Sequence, residues 1–148
     1  MAPSINLRYA TEADAPALAA VNSDAFSSAG FFANSFPQAA PASLRPMKAA
    51  NACKHLANPR VHVLAGCDPV SDEIIAYCRW EIPLGLGYDR DVVPLSEEGQ
   101  QAMADPIRFA PRPMNEKVYH AFKAMIHEKR KQHTTEDDIS MSPFSPVG

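Results

Sequence analysis

Four side chains of types that commonly ligate zinc lie close together in the sequence: Cys53, His55, His62 and Cys67. Their spacing, C-x-H-x6-H-x4-C, matches none of the usual zinc-binding patterns. His62 also alternates with apolar neighbours, as a residue of a strand does. None of the chain's three cysteines has a neighbour in the sequence that would serve as a base or an oxyanion donor. We therefore expect neither a metal site nor a cysteine nucleophile.

The last strongly amphipathic segment carries a second possible motif. His127-Glu128 begins like the zinc-protease motif H-E-x-x-H, but Lys131 stands where the second histidine is required. The basic cluster of residues 129–131 has two interpretations, a phosphate-binding or nuclear-targeting segment and a helix end whose negative dipole the cations stabilise. The second is favoured because the acidic residues 136–138 follow directly.

Length and composition predict one globular domain and exclude several classes of protein. The 148 residues carry 14 Lys plus Arg against 17 Asp plus Glu, so we expect neither nucleic-acid nor membrane partners. An odd number of cysteines and a start without signal-peptide character favour a cytoplasmic protein, with the nucleus as the alternative. Fourteen prolines against six glycines indicate that part of the chain is irregular.

Periodicity predicts an α/β or α+β fold in which helices flank a three-stranded, mostly antiparallel sheet. The order is strand, helix, helix, strand, strand, Pro-rich loop, helix. Strands are predicted at 5–9, 60–66 and 74–82, and helices at about 11–26, 43–57 and 115–133. Residues 27–41 are predicted as a loop. A domain is expected over 1–133, with an irregular insertion at 83–114 that contains a short helix capped by Ser96, and an unstructured tail at 134–148.

Three segments, at 5–18, 61–65 and 74–83, together with the Arg79-Trp80-Glu81 ending of the last and the Pro-rich insertion that follows it, resemble the N-terminal portion of the GNAT superfamily of N-acetyltransferases, in particular its fungal branch. The segment INLRYATEADAPAL at 5–18 resembles the first strand and helix of that family. The segments VHVLA at 61–65 and IIAYCRWEIP at 74–83 resemble its second and third strands. The resemblance covers about residues 4–83, and it implies transfer of an acetyl group from acetyl-CoA to a small-molecule or peptide amine.

The family binds the pyrophosphate of CoA on backbone N–H groups of a loop, Q/R-x-x-G-x-G/A, that follows its fourth strand. Only Gly85-Leu86-Gly87 has the G-x-G spacing in this chain, and Ile82 stands where Gln or Arg is expected. No fourth strand is predicted either. We therefore expect an incomplete GNAT-like fold, without cofactor-binding residues, that neither binds acetyl-CoA normally nor catalyses transfer as this chain.

The resemblance also indicates which residues would face an acceptor. Phe31, Phe32 and Phe36 lie in the segment that lines the acceptor pocket of the family, although burial beneath the loop also explains them. Trp80 and Glu81 end the third strand, where they face opposite sides unless the strand bends. Glu81 would receive a proton from an ammonium through water, or would simply face solvent. No catalytic base is assigned.

A non-catalytic binding fragment is the alternative function. In that case the aromatic segment and an unpaired edge of the sheet would contact a partner. Exposed strand edges invite pairing with another chain, so self-association through this edge is also expected.

Overall fold

The computed structural model describes residues 4–26 and 30–141. Within them the chain forms a mixed α/β fold with four strands and five α-helices. In chain order these elements are β1 (Asn6–Tyr9), α1 (Ala15–Ala25), α2 (Gly30–Ser35), α3 (Arg45–Leu56), β2 (Val61–Cys67), β3 (Ile74–Glu81), α4 (Glu97–Ala104), α5 (Glu116–His133) and β4 (Ser140–Met141). The predicted class, an antiparallel sheet flanked by helices, is confirmed, and no helix among these residues is long and apolar enough to span a membrane.

The sheet has four strands rather than the predicted three. All its pairs are antiparallel, in the order β1-β2-β3-β4. The fourth strand lies in the segment predicted to be an unstructured tail, where Ser140 pairs with Glu81 and Met141 with Trp80. A two-residue strand leaves no periodic signal in the sequence, because the edge of β3 determines where it pairs. Among the described residues, 74–79 of β3 have no strand partner on the same side.

The two faces of the sheet have different surroundings. Val61, Val63 and Ala65 of β2 face α1 and α3, and they share a core with Leu18 and Cys53. Hairpin register places Val63 opposite Arg79, so Arg79 lies on this helix-covered face. The other face carries exposed apolar side chains, namely Leu7, Tyr9, Trp80 and Met141.

The segment predicted as a loop at 27–41 contains α2, and this prediction was wrong for residues 30–35. Residues 27–29 lie outside the described residues. The helix is held by aromatic packing against α5, with ring centroids 4.0 Å apart for Phe31 and Phe122 and 5.8 Å apart for Phe31 and Tyr119. Phe36, just after the helix, is buried with 2% of its surface exposed. A glycine-containing segment this short forms a helix through tertiary contacts, which sequence propensity does not register.

The Pro-rich insertion is attached to the domain through α4. Ser96 caps α4 as predicted, its Oγ accepting a hydrogen bond from the N–H of Gly99 at 3.1 Å. The same Ser96 donates from its N–H to the carboxylate of Glu12 at 2.8 Å, and this bond ties α4 to the start of the chain. After the insertion, α5 begins at a cap formed by Asn115 and ends where predicted.

Asp14 organises the turn between β1 and α1. Its carboxylate accepts two hydrogen bonds from the Arg8 guanidinium, at 2.7 and 2.9 Å, and one from the N–H of Thr11 at 2.7 Å. Pro16 follows in the first turn of α1, where a missing N–H is tolerated. The hydrogen bonds from Arg8 lower the pKa of Asp14 to about 2.

We expect Asp14→Asn to lower the free energy of unfolding at pH 7 by about 1 kcal/mol, because it removes the charged partner of Arg8 and Thr11. The folded-state pKa lies below the usual value of 3.8, so the stabilisation is present above that value and is lost as the pH falls toward 2. Urea unfolding of both proteins at pH 7 and near pH 2.5 measures this. Asp137→Asn in an exposed turn is the matched control, and an equal loss at both pH values would contradict the expectation.

Candidate functional site

A pocket lies between the helix-covered face of the sheet and helices α1, α2, α3 and α5. Its volume is about 140 Å³. We call it the sheet–helix pocket, and its main lining residues are Phe31, Phe32, Lys48, Arg79, Phe122 and Lys123. The volume is close to that of an engineered cavity of roughly 150 Å³ that binds benzene, so the pocket has room for one ring.

The apolar wall of the pocket is aromatic. Phe31 and Phe32 come from α2 and Phe122 from α5, and the stacked pair Phe31–Phe122 closes the gap between the two helices. Met47 and Ile126 add aliphatic surface to the lining. Such a wall favours a flat or branched apolar group, because offset aromatic contacts contribute beyond simple area burial.

Arg79 differs from the other polar residues of this pocket because it is a buried cation with unpaired hydrogen-bond donors. Only 8% of the residue is exposed, and its Nε and Nη2 atoms have no hydrogen-bond partner among the described residues. The nearby carboxylate of Glu81 accepts a hydrogen bond from Arg130 instead, at 2.7 Å. Burial lowers the pKa of Arg79, and the Arg130 charge acts in the same direction. An unpaired buried cation is costly, and a bound anion would offset that cost.

Two lysines add positive charge to the pocket, and a neutral histidine lies beside them. Burial lowers the pKa of Lys48 to about 8, although the Asp24 carboxylate acts in the opposite direction and the Phe32 ring lies 4.2 Å from Nζ. Burial also lowers the pKa of Lys123. Burial, followed by the charges of Arg79 and Lys123, lowers the pKa of His55 to about 3, so its imidazole is neutral at pH 7.

The charged side chains of the lining are all positive. Lys48, Arg79 and Lys123 carry positive charge, whereas no Asp or Glu contributes to the lining. The remaining polar groups include Asn22 and Tyr77, and Asn22 donates to the Tyr77 hydroxyl at 2.8 Å. A partly desolvated pocket with cations and no carboxylate attracts anions and opposes cations.

The residues that the sequence singles out are dispersed by the fold. Phe31 and Phe32 line the pocket, whereas Phe36 lies in the adjacent core with Tyr119. Trp80 lies on the opposite face of the sheet, opposite His62 in the register. Glu81 lies on the helix-covered side, in ion pairs with Arg130 at 2.7 Å and Arg60 at 4.0 Å. The two residues therefore face opposite ways, as strand alternation predicts.

Sequence reasoning missed the three cations of the pocket. Alternation along β3 places Tyr77, Arg79 and Glu81 on one side, and the register irregularity at Gly66/Cys67 places Ile74 rather than Ile75 in the core. Which side the helices cover was not assigned. The available signal was the apolar face of β2, because hairpin pairing places Val63 and Ala65 directly opposite Arg79 and Tyr77.

A second, larger cavity of about 800 Å³ separates α3 and α4 from residues 9–16. Two of its charged groups already have partners. Glu12 accepts hydrogen bonds from Ser96, and Arg90 donates to the carbonyls of Val61 and Leu56. This cavity is the seam between the insertion and the rest of the domain, so the smaller pocket is the better candidate for a ligand.

The one G-x-G segment forms a turn. Gly85 and Gly87 have φ values of +84° and +79°, a region that glycine adopts easily. The N–H of Gly85 donates to the Asp89 carboxylate at 2.9 Å, and no helix begins here. This amide is therefore engaged by a carboxylate.

We expect Lys48 to titrate with a midpoint near pH 8 in the folded protein, because burial disfavours its charged form. Reductive ¹³C-dimethylation followed by an NMR pH titration measures the midpoint, and the Lys48→Arg variant identifies the signal. In urea the same signal should titrate near the ordinary value of about 10.4. A folded-state midpoint above about pH 10 would refute this.

Comparisons of the chain with protein-family models, with curated proteins and with solved structures find no match. Among the described residues, no group of three or more His, Cys, Asp or Glu side chains is arranged to hold a metal ion. The functional argument therefore depends on the geometry and the charge of the sheet–helix pocket.

Proposed function

We propose that this chain is a binding domain that holds a small molecule in the sheet–helix pocket. The observation that carries the proposal is the buried guanidinium of Arg79, whose Nε and Nη2 lack partners among the described residues, beside an aromatic wall of one-ring size. Apolar walls with a few convergent polar groups are the usual composition of small-molecule sites.

The GNAT resemblance gives this proposal a more specific form, in which the pocket is the acceptor side of an N-acetyltransferase. Two observations support such a location: Phe31 and Phe32 line the pocket, and they belong to the segment that the resemblance assigns to the acceptor. Transfer would also require a group that removes a proton from the amine. The pocket lining contains no carboxylate, and Glu81 is ion-paired with Arg130. Binding without catalysis by this chain is therefore the function we favour.

Filling the pocket should abolish ligand binding. Ala52 of α3 lines the pocket, so Ala52→Leu places a larger side chain in the enclosed volume. We expect saturation-transfer NMR to detect binding of some single-ring compounds to the wild-type chain, and to detect none with Ala52→Leu.

Ala49→Leu is the matched control, because Ala49 lies on the same helix, is also partly buried against the core, and lines the other cavity. Circular dichroism establishes that both variants are folded. The proposal fails if no compound binds the wild type, or if Ala52→Leu binds as well as Ala49→Leu does.

We also expect the chain to show no saturable binding of acetyl-CoA. It lacks a Q/R-x-x-G-x-G/A segment, and the N–H of Gly85 is already engaged by Asp89. Isothermal titration calorimetry tests this, with an active acetyltransferase as the positive control. Micromolar one-to-one binding would show that this chain contains a cofactor site.

A further inference from the structure

We propose that the ligand of the sheet–helix pocket is a small carboxylate attached to a single-ring apolar body, an assignment that rests on the binding function proposed above. The first argument is the position of the unpaired donors on Arg79. Nε–H and one Nη2–H project from the same edge of a planar guanidinium. Their spacing matches the two oxygens of one carboxylate, which they bind as a pair of parallel hydrogen bonds.

The second argument is that the protein supplies no carboxylate to this edge. The nearest acidic side chain whose charge affects Arg79 is Glu81. Arg130 of α5 donates a hydrogen bond to Oε2 of Glu81 at 2.7 Å, and Arg60 lies 4.0 Å from Oε1 of Glu81. The guanidinium therefore remains without an acidic hydrogen-bond partner among the described residues.

The third argument is the surrounding charge. Lys48 and Lys123 also line the pocket, and no acidic residue does. Lys54 and Arg130 add further positive potential, since both act on His55. A protonated amine would be repelled here, whereas an anion would be attracted by several charges at once.

Size and shape restrict the apolar part of the ligand. The pocket volume of about 140 Å³ accommodates one six-membered ring beside the aromatic wall. Nε and Nη2 of Arg79 are buried, so a carboxylate reaches them only if the lining side chains shift locally, which favours small ligands. Benzoate is small and carries a carboxylate on a single ring, so it is the probe.

The experiment compares three probes of one shape and different charge: benzoate, benzamide and benzylamine. Calorimetry or an NMR titration should give a dissociation constant for benzoate on the order of 1 mM, typical of a ligand with so few atoms. We expect benzamide to bind at least tenfold more weakly and benzylamine to bind least. Inorganic phosphate, which has charge but no ring, should compete with benzoate only weakly.

Variants at Arg79 test the assigned contact. Arg79→Met should reduce benzoate affinity to that of benzamide while leaving benzamide unchanged. Arg79→Lys keeps the charge and loses the paired donors, so its benzoate affinity should lie between the two. Arg108→Met, at an exposed position outside the pocket lining, alters the net charge equally and should leave benzoate binding unchanged.

A direct readout on the unmodified protein covers the case in which an Arg79 variant does not fold. The ¹⁵Nε–H signal of Arg79, identified by eliminating the arginines whose substitution is tolerated, should shift on addition of benzoate and not of benzamide. Equal binding of benzoate and benzamide would overturn the carboxylate assignment and leave the binding function intact, as would tightest binding of benzylamine or of phosphate. Failure of every probe to bind would count against both proposals.

Discussion

A buried guanidinium on the helix-covered face of the sheet constrains the structure around it. The hairpin register pairs Arg79 with Val63, so the cation lies among core residues and not in water. Removing a charge from water is expensive unless a partner compensates for it. The one carboxylate nearby, Glu81, pairs with Arg130, and this ion pair anchors the C-terminal part of α5 to the end of β3. Arg60 lies 4.0 Å from the same carboxylate, so Glu81 is shared by two arginines other than Arg79. This pairing positions α5, and the Nε and Nη2 atoms of Arg79 have no hydrogen-bond partner among the described residues.

The pocket depends on contacts between segments that are distant in the sequence. Its aromatic wall exists because α2, from the connection between the first two long helices, stacks on α5, from beyond the Pro-rich insertion. Its floor comes from the hairpin. The insertion is attached to the rest of the domain through α4 and Glu12, and α5, which follows the insertion, closes one side of the pocket. Prolines interrupt regular structure at 83–114, between the hairpin and α5.

Most of the fold could be predicted from local signals, and the site could be predicted only in part. The hairpin and the Ser96 cap were found because each has a signature within a few residues. Helix α2 and strand β4 were missed because tertiary contacts form them. Phe31 of α2 stacks on Phe122 of α5, and β4 pairs with the edge of β3. Phe31 and Phe32 were singled out, but Arg79 was not. Alternation gives two sides of a strand, and it does not say which side the helices will cover.

The charge of the pocket also bears on the acceptor that the GNAT resemblance implies. An ordinary amine is protonated at neutral pH, and three cations in the lining oppose its entry. An amine that also carries a carboxylate avoids this conflict, because the carboxylate pairs with Arg79 and the molecule has no net positive charge. The neutral imidazole of His55 is another polar group of the lining that is able to accept a hydrogen bond. If the pocket is an acceptor site, its geometry therefore favours a small amino acid-like molecule over a simple amine or the side chain of a lysine.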